Sequence, residues 1–303
     1  MSPFMIELVK FQSKTLPPNI IYHAVRLFER IMRFKSHFHI QELSHSQRKS
    51  FKSLKYGMKN DFFRSSDFRK FQRLDWGSIF SEFFLRDPMR HTVYNPFIFY
   101  SPADGIINYC AFVKPTEKIL FEGHYIITPE ELVKLPIFKS SHYYVLSIFM
   151  TAASVHINRM PTTGIITLMR EIEPLAIDNY SMLPFERAYF DEELPAPQAA
   201  LYQRLNERVV LEIYYPRFQY YYIIVQIADR DVDMINNYAD EGDSLSQGER
   251  FGEIRWGSDV ILLLPYDERF EIESLTNPGD YVYAGITPVF KIKPKDSNDR
   301  NEY

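Results

Sequence analysis

Short segments rich in β-branched and aromatic residues follow one another from about residue 97 to residue 295, with turn residues between them. Such runs, broken by Pro, Gly, Asn and Asp, are typical of strands joined by tight connections. The clearest runs are YYVLSIFM (143–150), GIITLMREI (164–172), RVVLEIYY (208–215), YYYIIVQIA (220–228), GEIRW (252–256) and DVILLLP (259–265). The pattern predicts a mainly antiparallel β domain of barrel or sandwich type over residues 91–295.

Residues 1–90 differ from the rest and are predicted to be helical, which makes the fold class α+β. In residues 20–34 apolar side chains recur at helical intervals, while Arg26, Arg30 and Arg33 share the other face. This predicts an amphipathic, basic helix that either lies in a membrane interface or packs on its own domain. The last helix is expected to end before Pro88, and residues 296–303 form a polar tail.

Two local signals predict connections inside the β domain. In TPEELVKL (128–135), Thr128 and Glu131 have the spacing of a capping box, which predicts a short helix. PADGII (102–107) resembles PTTGII (161–166), and GDSLSQG (242–248) resembles GDYVYAG (279–285). Each repeat is predicted to be a tight turn that leads into a strand, with glycine where positive φ or close packing is required.

Charge and cysteine content restrict the classes of partner. Residues 1–75 hold 15 Lys and Arg against 6 Asp and Glu, whereas the rest of the chain holds 20 against 33. The basic region suits an anionic lipid surface or nucleic acid, and the amphipathic helix favours the lipid. A single cysteine, Cys110, excludes an intrachain disulfide and a cysteine-based zinc site. The histidines of HFH (37–39) lack a third ligand, so no metal is expected.

The sequence shows no segment that would cross a membrane. No apolar run approaches the roughly 18 residues that a spanning helix needs, and the first residues lack the pattern of a cleaved signal peptide. We therefore expect a protein at the cytoplasmic face of a membrane, bound peripherally.

Three segments carry polar groups where apolar strands dominate. They are Asp104 in SPADGII, His156 with Asn158 and Arg159 in SVHINRMPTTG, and Ser258 in RWGSDVI. Taken singly, they suit a turn aspartate, a histidine at the core edge and a serine in a bulge at Gly257. Together they supply a nucleophile, an acid and a base, provided that the fold brings them together.

An ordered set of motifs resembles the pyruvoyl-dependent phosphatidylserine decarboxylases. The set comprises SEFFLRDPMRHTVYNPFIFYSPADGII, KILFEGHYIITPEELV, VHINRMPTTGIIT, IVQIAD and GDSLSQGERFGEIRWGSDVILLLP. It covers about two thirds of the chain. The chain departs from the family pattern at Ser154, where an aspartate is frequent, and in the acidic stretch of Asp229, Asp231 and Asp233.

The resemblance implies that the chain cuts itself between Gly257 and Ser258, giving a β chain and an α chain. Ser258 would become a pyruvoyl group, which forms a Schiff base with phosphatidylserine and releases CO₂ to give phosphatidylethanolamine. By the same resemblance, Asp104 would help to activate Ser258 and His156 would handle the proton during decarboxylation, with Asn158 and Arg159 in support.

The partners expected are therefore the phospholipid substrate, an anionic membrane surface and the two chains of one precursor, without nucleic acid. Formation of a homodimer is left open. Two alternatives also stay open: a pyruvoyl-dependent decarboxylase of another amino acid or serine-bearing lipid, and an inactive, membrane-associated relative.

Overall fold

The computed structural model describes residues 90–121, 124–125, 127–134, 140–150, 154–174, 182, 202–229, 235–254 and 258–295, without the side chains of 121, 124, 125 and 258. Several predictions lie outside these residues. They concern the helical region before residue 90, the HFH motif, Gly257, Asp231 with Asp233, and the tail 296–303.

The described part of the chain contains sixteen strands, two short α-helices and one 3₁₀ helix, Pro216–Phe218. The α-helices are α1 (Pro129–Val133) and α2 (Tyr202–Leu205). The strands are β1 (Ile98–Tyr100), β2 (Gly105–Val113), β3 (Leu120–Phe121), β4 (His124–Tyr125), β5 (Tyr143–Met150), β6 (Ile157–Arg159), β7 (Gly164–Ile172), β8 (Arg208–Tyr215), β9 (Tyr220–Ala228), β10 (Ile235–Asn237), β11 (Ser244–Leu245), β12 (Arg250–Ile254), β13 (Ser258–Pro265), β14 (Phe270–Ser274), β15 (Tyr281–Val282) and β16 (Pro288–Pro294). The predicted mainly antiparallel β domain is confirmed.

An eight-stranded antiparallel sheet forms the centre of the domain, in the order β11-β7-β8-β9-β13-β5-β2-β15. Strand β13 lies between β9 and β5 and pairs with both. Its residues from Val260 to Leu264 are fully buried, as expected for a strand that is covered on both faces. The apolar run in the sequence is therefore explained by a central position.

Two hydrophobic cores cover the two faces of this sheet. The first core contains Val260, Leu262 and Leu264, together with residues of the three-stranded sheets β1-β16-β14 and β10-β12-β6. The second core contains Ile261 and Leu263 and residues of α1 and α2. Alternate residues of one strand thus enter different cores, because successive side chains point to opposite faces.

The sheets pack in layers, and the eight-stranded sheet is open. Strands β11 and β15 stand at its two ends and do not pair with each other in the described part of the chain. Of the two expected architectures, barrel and sandwich, the closed barrel is wrong. A two-residue strand at each end offers few backbone groups for closure.

The chain passes from one sheet to another around the Gly257–Ser258 pair. Strand β12 ends at Ile254 in a three-stranded sheet, and β13 begins at Ser258 in the eight-stranded sheet. The two apolar segments that flank the pair in the sequence therefore belong to different layers. A bulge within one strand does not account for the interruption.

The predicted helix and turns are confirmed. In α1 the Glu131 N–H donates to Thr128 Oγ1 at 3.1 Å, and the Thr128 N–H donates to Glu131 Oε2 at 3.2 Å. In the two long repeats Gly248 and Gly285 have φ of +80° and +69°, which glycine adopts most readily. None of the helices in the described residues is both long enough and apolar enough to span a bilayer.

Candidate active site

The strand register brings the predicted site segments to the end of the central sheet at which β13 begins. Ser258, the first residue of β13, is paired with Met150 at the end of β5 and with Ala228 at the end of β9. Ile106 at the start of β2 is paired with Phe149. Asp104, which precedes β2, and the segment that follows β5 therefore reach the edge where β13 begins.

The start of β2 lies tightly against the end of β5. A Cβ atom placed on Gly105 would be 2.2 Å from the Phe149 carbonyl oxygen, far closer than two such atoms approach. The Arg159 N–H donates to the Pro102 carbonyl oxygen at 2.9 Å. The segment of Asp104 and the segment of His156 are therefore direct neighbours.

Asp104 is fully buried and accepts hydrogen bonds from three residues. Arg90 donates to both of its oxygens, at 2.5 and 2.8 Å, and the Ala284 N–H donates at 2.7 Å. The Val155 N–H lies 3.4 Å from Oδ2. This contact links Asp104 to the residue that precedes His156.

Arg90 was not identified from the sequence, although it stands inside the first of the motifs quoted above. Its side chain is only 5% exposed, and its Nη1 also donates to the Ala284 carbonyl oxygen at 2.9 Å. A paired guanidinium offsets much of the cost of burying a carboxylate. Arg90 thus permits a charged aspartate at this position.

His156 is also fully buried, and its ring is oriented by the backbone. Its Nδ1 lies 3.0 Å from the Ser154 carbonyl oxygen. Because a carbonyl oxygen can only accept, Nδ1 carries the proton in this contact, and Nε2 is the basic nitrogen of the neutral ring. The side chain of Ser154 instead contacts the Tyr281 hydroxyl at 3.2 Å.

Asn158 and Arg159 connect this segment to neighbouring elements. Asn158 Oδ1 accepts a hydrogen bond from Gln226 Nε2 of β9 at 2.8 Å. Arg159 Nη1 donates to the Gly248 carbonyl oxygen at 2.9 Å. These contacts fix the position of the short strand β6 relative to the central sheet, which suits the supporting role expected of both residues.

A second buried carboxylate, Asp259, follows Ser258 directly. It is fully buried and accepts hydrogen bonds from Ser147, Tyr202 and Gln203. Burial raises the pKa of Asp259 to about 6, although these hydrogen bonds act in the opposite direction. Sequence reasoning missed this residue, and its signal was a lone acid at the start of the apolar run DVILLLP.

Two kinds of comparison agree on the family. A sequence model of the phosphatidylserine decarboxylase family matches residues 78–289. The phosphatidylserine decarboxylase proenzyme of Carboxydothermus hydrogenoformans is 30% identical over 215 residues, which are 71% of this chain and 81% of the relative. The proenzyme of the same name from Xanthobacter autotrophicus is 31% identical over 210 residues, or 69% of this chain and 72% of the relative.

These matches show that the chain is a decarboxylase, which is a carbon–carbon lyase. It belongs to the phosphatidylserine decarboxylase family. The family and the enzyme class expected from the sequence are therefore confirmed. The roles of Ser258, Asp104, His156, Asn158 and Arg159 stay predictions, as do the domain limits.

Proposed function

We propose that this chain is a phosphatidylserine decarboxylase proenzyme that cuts itself between Gly257 and Ser258. The observation that carries the proposal is the register, which sets Ser258 at the head of the central strand, where the segments of Asp104 and His156 also arrive. Family membership and the naming of the relatives as proenzymes support it. The products would be an α and a β chain from one precursor.

The residues present fit a pyruvoyl group derived from Ser258. Such a group requires a hydroxyl-bearing residue at the cut, and it requires protein on both sides to hold the new chain end. Backbone pairing of Asp259 with Phe149 and Ile227, which remains after the Ser258 nitrogen has left, provides that hold. The group supplies an electron-withdrawing ketone, which accepts the electron pair left when the substrate carboxylate departs as CO₂.

Self-cleavage uses only groups of the chain and one water. The Ser258 hydroxyl oxygen bonds to the Gly257 carbonyl carbon, and the peptide C–N bond breaks to leave an ester and a free amine. Loss of the Ser258 α proton then breaks the Cβ–O bond and releases Gly257 as a carboxylate. Water replaces the nitrogen of the resulting enamine, ammonia leaves, and the ketone remains. Asp104, buried and paired with Arg90, is proposed to assist removal of the hydroxyl proton.

His156 is proposed to move the proton of the decarboxylation step. Since Nδ1 is engaged with the Ser154 carbonyl oxygen, Nε2 is the atom that would hold that proton and deliver it to the product carbon. Burial of the ring excludes water from this exchange. Phosphatidylserine would thereby give phosphatidylethanolamine.

The purified chain is expected to appear as two fragments by intact mass, the shorter one beginning at a pyruvoyl group in place of Ser258. Incubation with phosphatidylserine micelles should then release CO₂ and form phosphatidylethanolamine. A chain that stays whole would contradict the proposal. A cleaved chain that releases CO₂ only from another amine would favour the alternative substrate.

Peripheral binding at the cytoplasmic face of a membrane is the second part of the proposal. It rests on the basic composition of residues 1–75 and on the amphipathic pattern of residues 20–34. The full chain should sediment with vesicles that contain phosphatidylserine, and less so as salt rises from about 0.05 to 0.5 M, because salt screens the attraction. Equal binding to neutral phosphatidylcholine vesicles would contradict the electrostatic part. Whether the chain forms a homodimer stays open.

A further inference from the structure

A buried polar cluster surrounds the carboxylate of Asp259. Ser147 Oγ lies 2.9 and 3.0 Å from its two oxygens. Oδ2 also accepts from the Tyr202 hydroxyl at 3.0 Å and from Gln203 Nε2 at 2.6 Å. All three donors are uncharged, and among the described residues no Lys, Arg or His forms an ion pair with Asp259.

Two further hydrogen bonds connect this cluster to β2. Asn108 Nδ2 donates to Ser147 Oγ at 3.0 Å, and the Tyr109 hydroxyl donates to Gln203 Oε1 at 3.3 Å. Through Asp259, the start of β13 is therefore tied to β5, to α2 and indirectly to β2. A buried carboxylate without a cation is costly compared with an apolar residue, so its presence beside the predicted cut points to a use in the reaction.

After cleavage, non-covalent contacts of Asp259 must hold the new chain end in place. Before the cut, Gly257 holds the head of β13 covalently. Afterwards the amide nitrogen of Asp259 carries the pyruvoyl group, and Asp259 is the first complete residue of the new chain. Backbone pairing with Phe149 and Ile227 restrains its main chain, and the three donors restrain its side chain. A strand whose end becomes a chain terminus tends to fray there.

We propose that Asp259 is a positioning residue, whose hydrogen-bonded carboxylate holds the cut end of β13 and thereby the pyruvoyl group in place. This inference rests on the proposed self-cleavage. The Asp259 carboxylate lies on the face of β13 that carries Ile261 and Leu263, opposite to the face of residue 258. It therefore affects the reaction only through the backbone.

The cluster has one group that titrates near neutrality. The other ionisable groups that face Asp259 are Tyr109 on β2 and Tyr202 on α2, and burial raises the pKa of both well above the usual value. The pKa of Asp259 is raised by burial to about 6. Below that pH the carboxyl carries a hydrogen and becomes a donor, so at least one of the contacts in which it now accepts must reverse its direction or change its geometry.

Protonation of Asp259 stabilises the folded chain, so a loss of turnover at low pH can be distinguished from unfolding. The pKa of Asp259 is higher in the folded chain than its ordinary value of 3.8. Its protonation therefore contributes stability that is fully present below pH 3.8 and is lost as pH rises through about 6. Turnover that falls as pH drops through 6 is thus not explained by destabilisation at this site.

The test compares Asp259→Asn with Asp267→Asn, which makes the same change beyond the other end of β13. We expect Asp259→Asn to lower the kcat of the processed enzyme by about tenfold or more, since small displacements of a reacting group are costly, with KM little changed. Hydrogen exchange in residues 259–263 should be faster, and the fall of kcat near pH 6 should disappear. Asp267→Asn should match the parent in all three.

A rescue variant distinguishes positioning from general stability. Asp259→Asn with Gln203→Glu exchanges the carboxylate and the amide across the 2.6 Å contact, so it should recover a large part of kcat. In an uncleaved Ser258→Ala background, Asp259→Asn should affect exchange in residues 259–263 much less. If Asp259→Asn does not fold, Tyr202→Phe, which removes one donor, should show a several-fold loss of kcat.

The outcomes separate the two proposals. A parent chain that is never cleaved overturns the self-cleavage proposal and this inference with it. A cleaved, active parent whose Asp259→Asn and Tyr202→Phe variants keep the kcat, exchange and pH profile of the parent overturns this inference alone. A loss of kcat in Asp259→Asn that the Gln203→Glu exchange does not relieve also overturns it.

Discussion

Ser258→Ala is expected to leave the chain whole and to abolish CO₂ release. The hydroxyl is both the attacking group in cleavage and the source of the ketone, so one substitution removes both, and activity should fall by at least about 10³-fold. The ladder of β13 uses backbone groups, so the fold should persist. Intact mass, the decarboxylation assay and the thermal midpoint check the three statements.

Two controls sharpen this result. Ser258→Cys keeps a nucleophile at the cut, so it should still be cleaved, though more slowly than the parent. Ser274→Ala removes an exposed serine hydroxyl on β14, which donates to the Thr276 carbonyl oxygen at 3.1 Å, and should leave cleavage and activity unchanged. A Ser258→Ala chain that is cut at position 257, or that decarboxylates as well as the parent, would refute the proposed chemistry.

Asp104→Asn is expected to slow self-cleavage by about 10²–10³-fold, because a positioned carboxylate that assists proton transfer contributes on this order. The asparagine keeps the size of the side chain and removes its charge. The half-time of cleavage, followed by mass after expression of the uncut chain, measures the effect. Cleavage at the rate of the parent would show that Asp104 does not assist Ser258.

Substitution of Arg90, the partner of Asp104, separates the effect of the charge on cleavage from its effect on the stability of the fold. Arg90→Met leaves a fully buried carboxylate without its cation, which should cost about 3–5 kcal/mol of unfolding free energy. Arg90→Met with Asp104→Asn removes both charges, so it should recover part of that stability while cleavage stays slow. Arg269→Met breaks the exposed pair with Asp267 and should cost at most about 1 kcal/mol.

A failure of the double variant to recover stability would be informative too. It would mean that Arg90 stabilises the fold mainly through its bond to the Ala284 carbonyl oxygen and through packing. Asp104→Asn alone leaves the buried Arg90 without its anion, so the cleavage rate of the double variant, which has neither charge, is the rate that reports on the chemistry. Unfolding free energy and cleavage rate must therefore both be measured on Arg90→Met, on Asp104→Asn and on the double variant.

Local structure was predictable because its causes are local. β-Branched and aromatic content, bounded by turn residues, places β5, β7, β8 and β9 at the bounds expected from the sequence. The capping box of α1 needs only residues 128 and 131, and it is present. In each case the interacting groups are within a few residues of one another or belong to one repeating pattern.

The candidate site was predictable in part, by a different route. The motifs of the family pointed to Asp104, His156 and Ser258, and the register leads their segments to one edge of the sheet. Arg90 and Asp259 were missed, since neither belongs to a recognisable spacing of ligands. Each is explained by partners distant in sequence: Ala284 is 194 residues from Arg90, and Gln203 is 56 residues from Asp259.

By itself, the sequence determined the longer strands, the short helix and the family, and it suggested residues for the chemistry, because side-chain type and short-range pattern carry that information. Only the tertiary structure decided that β12 and β13 belong to different sheets, that the central sheet stays open, and that two aspartates are buried with very different partners. Strand pairing and burial join groups far apart along the chain, and no local pattern specifies which of them will meet.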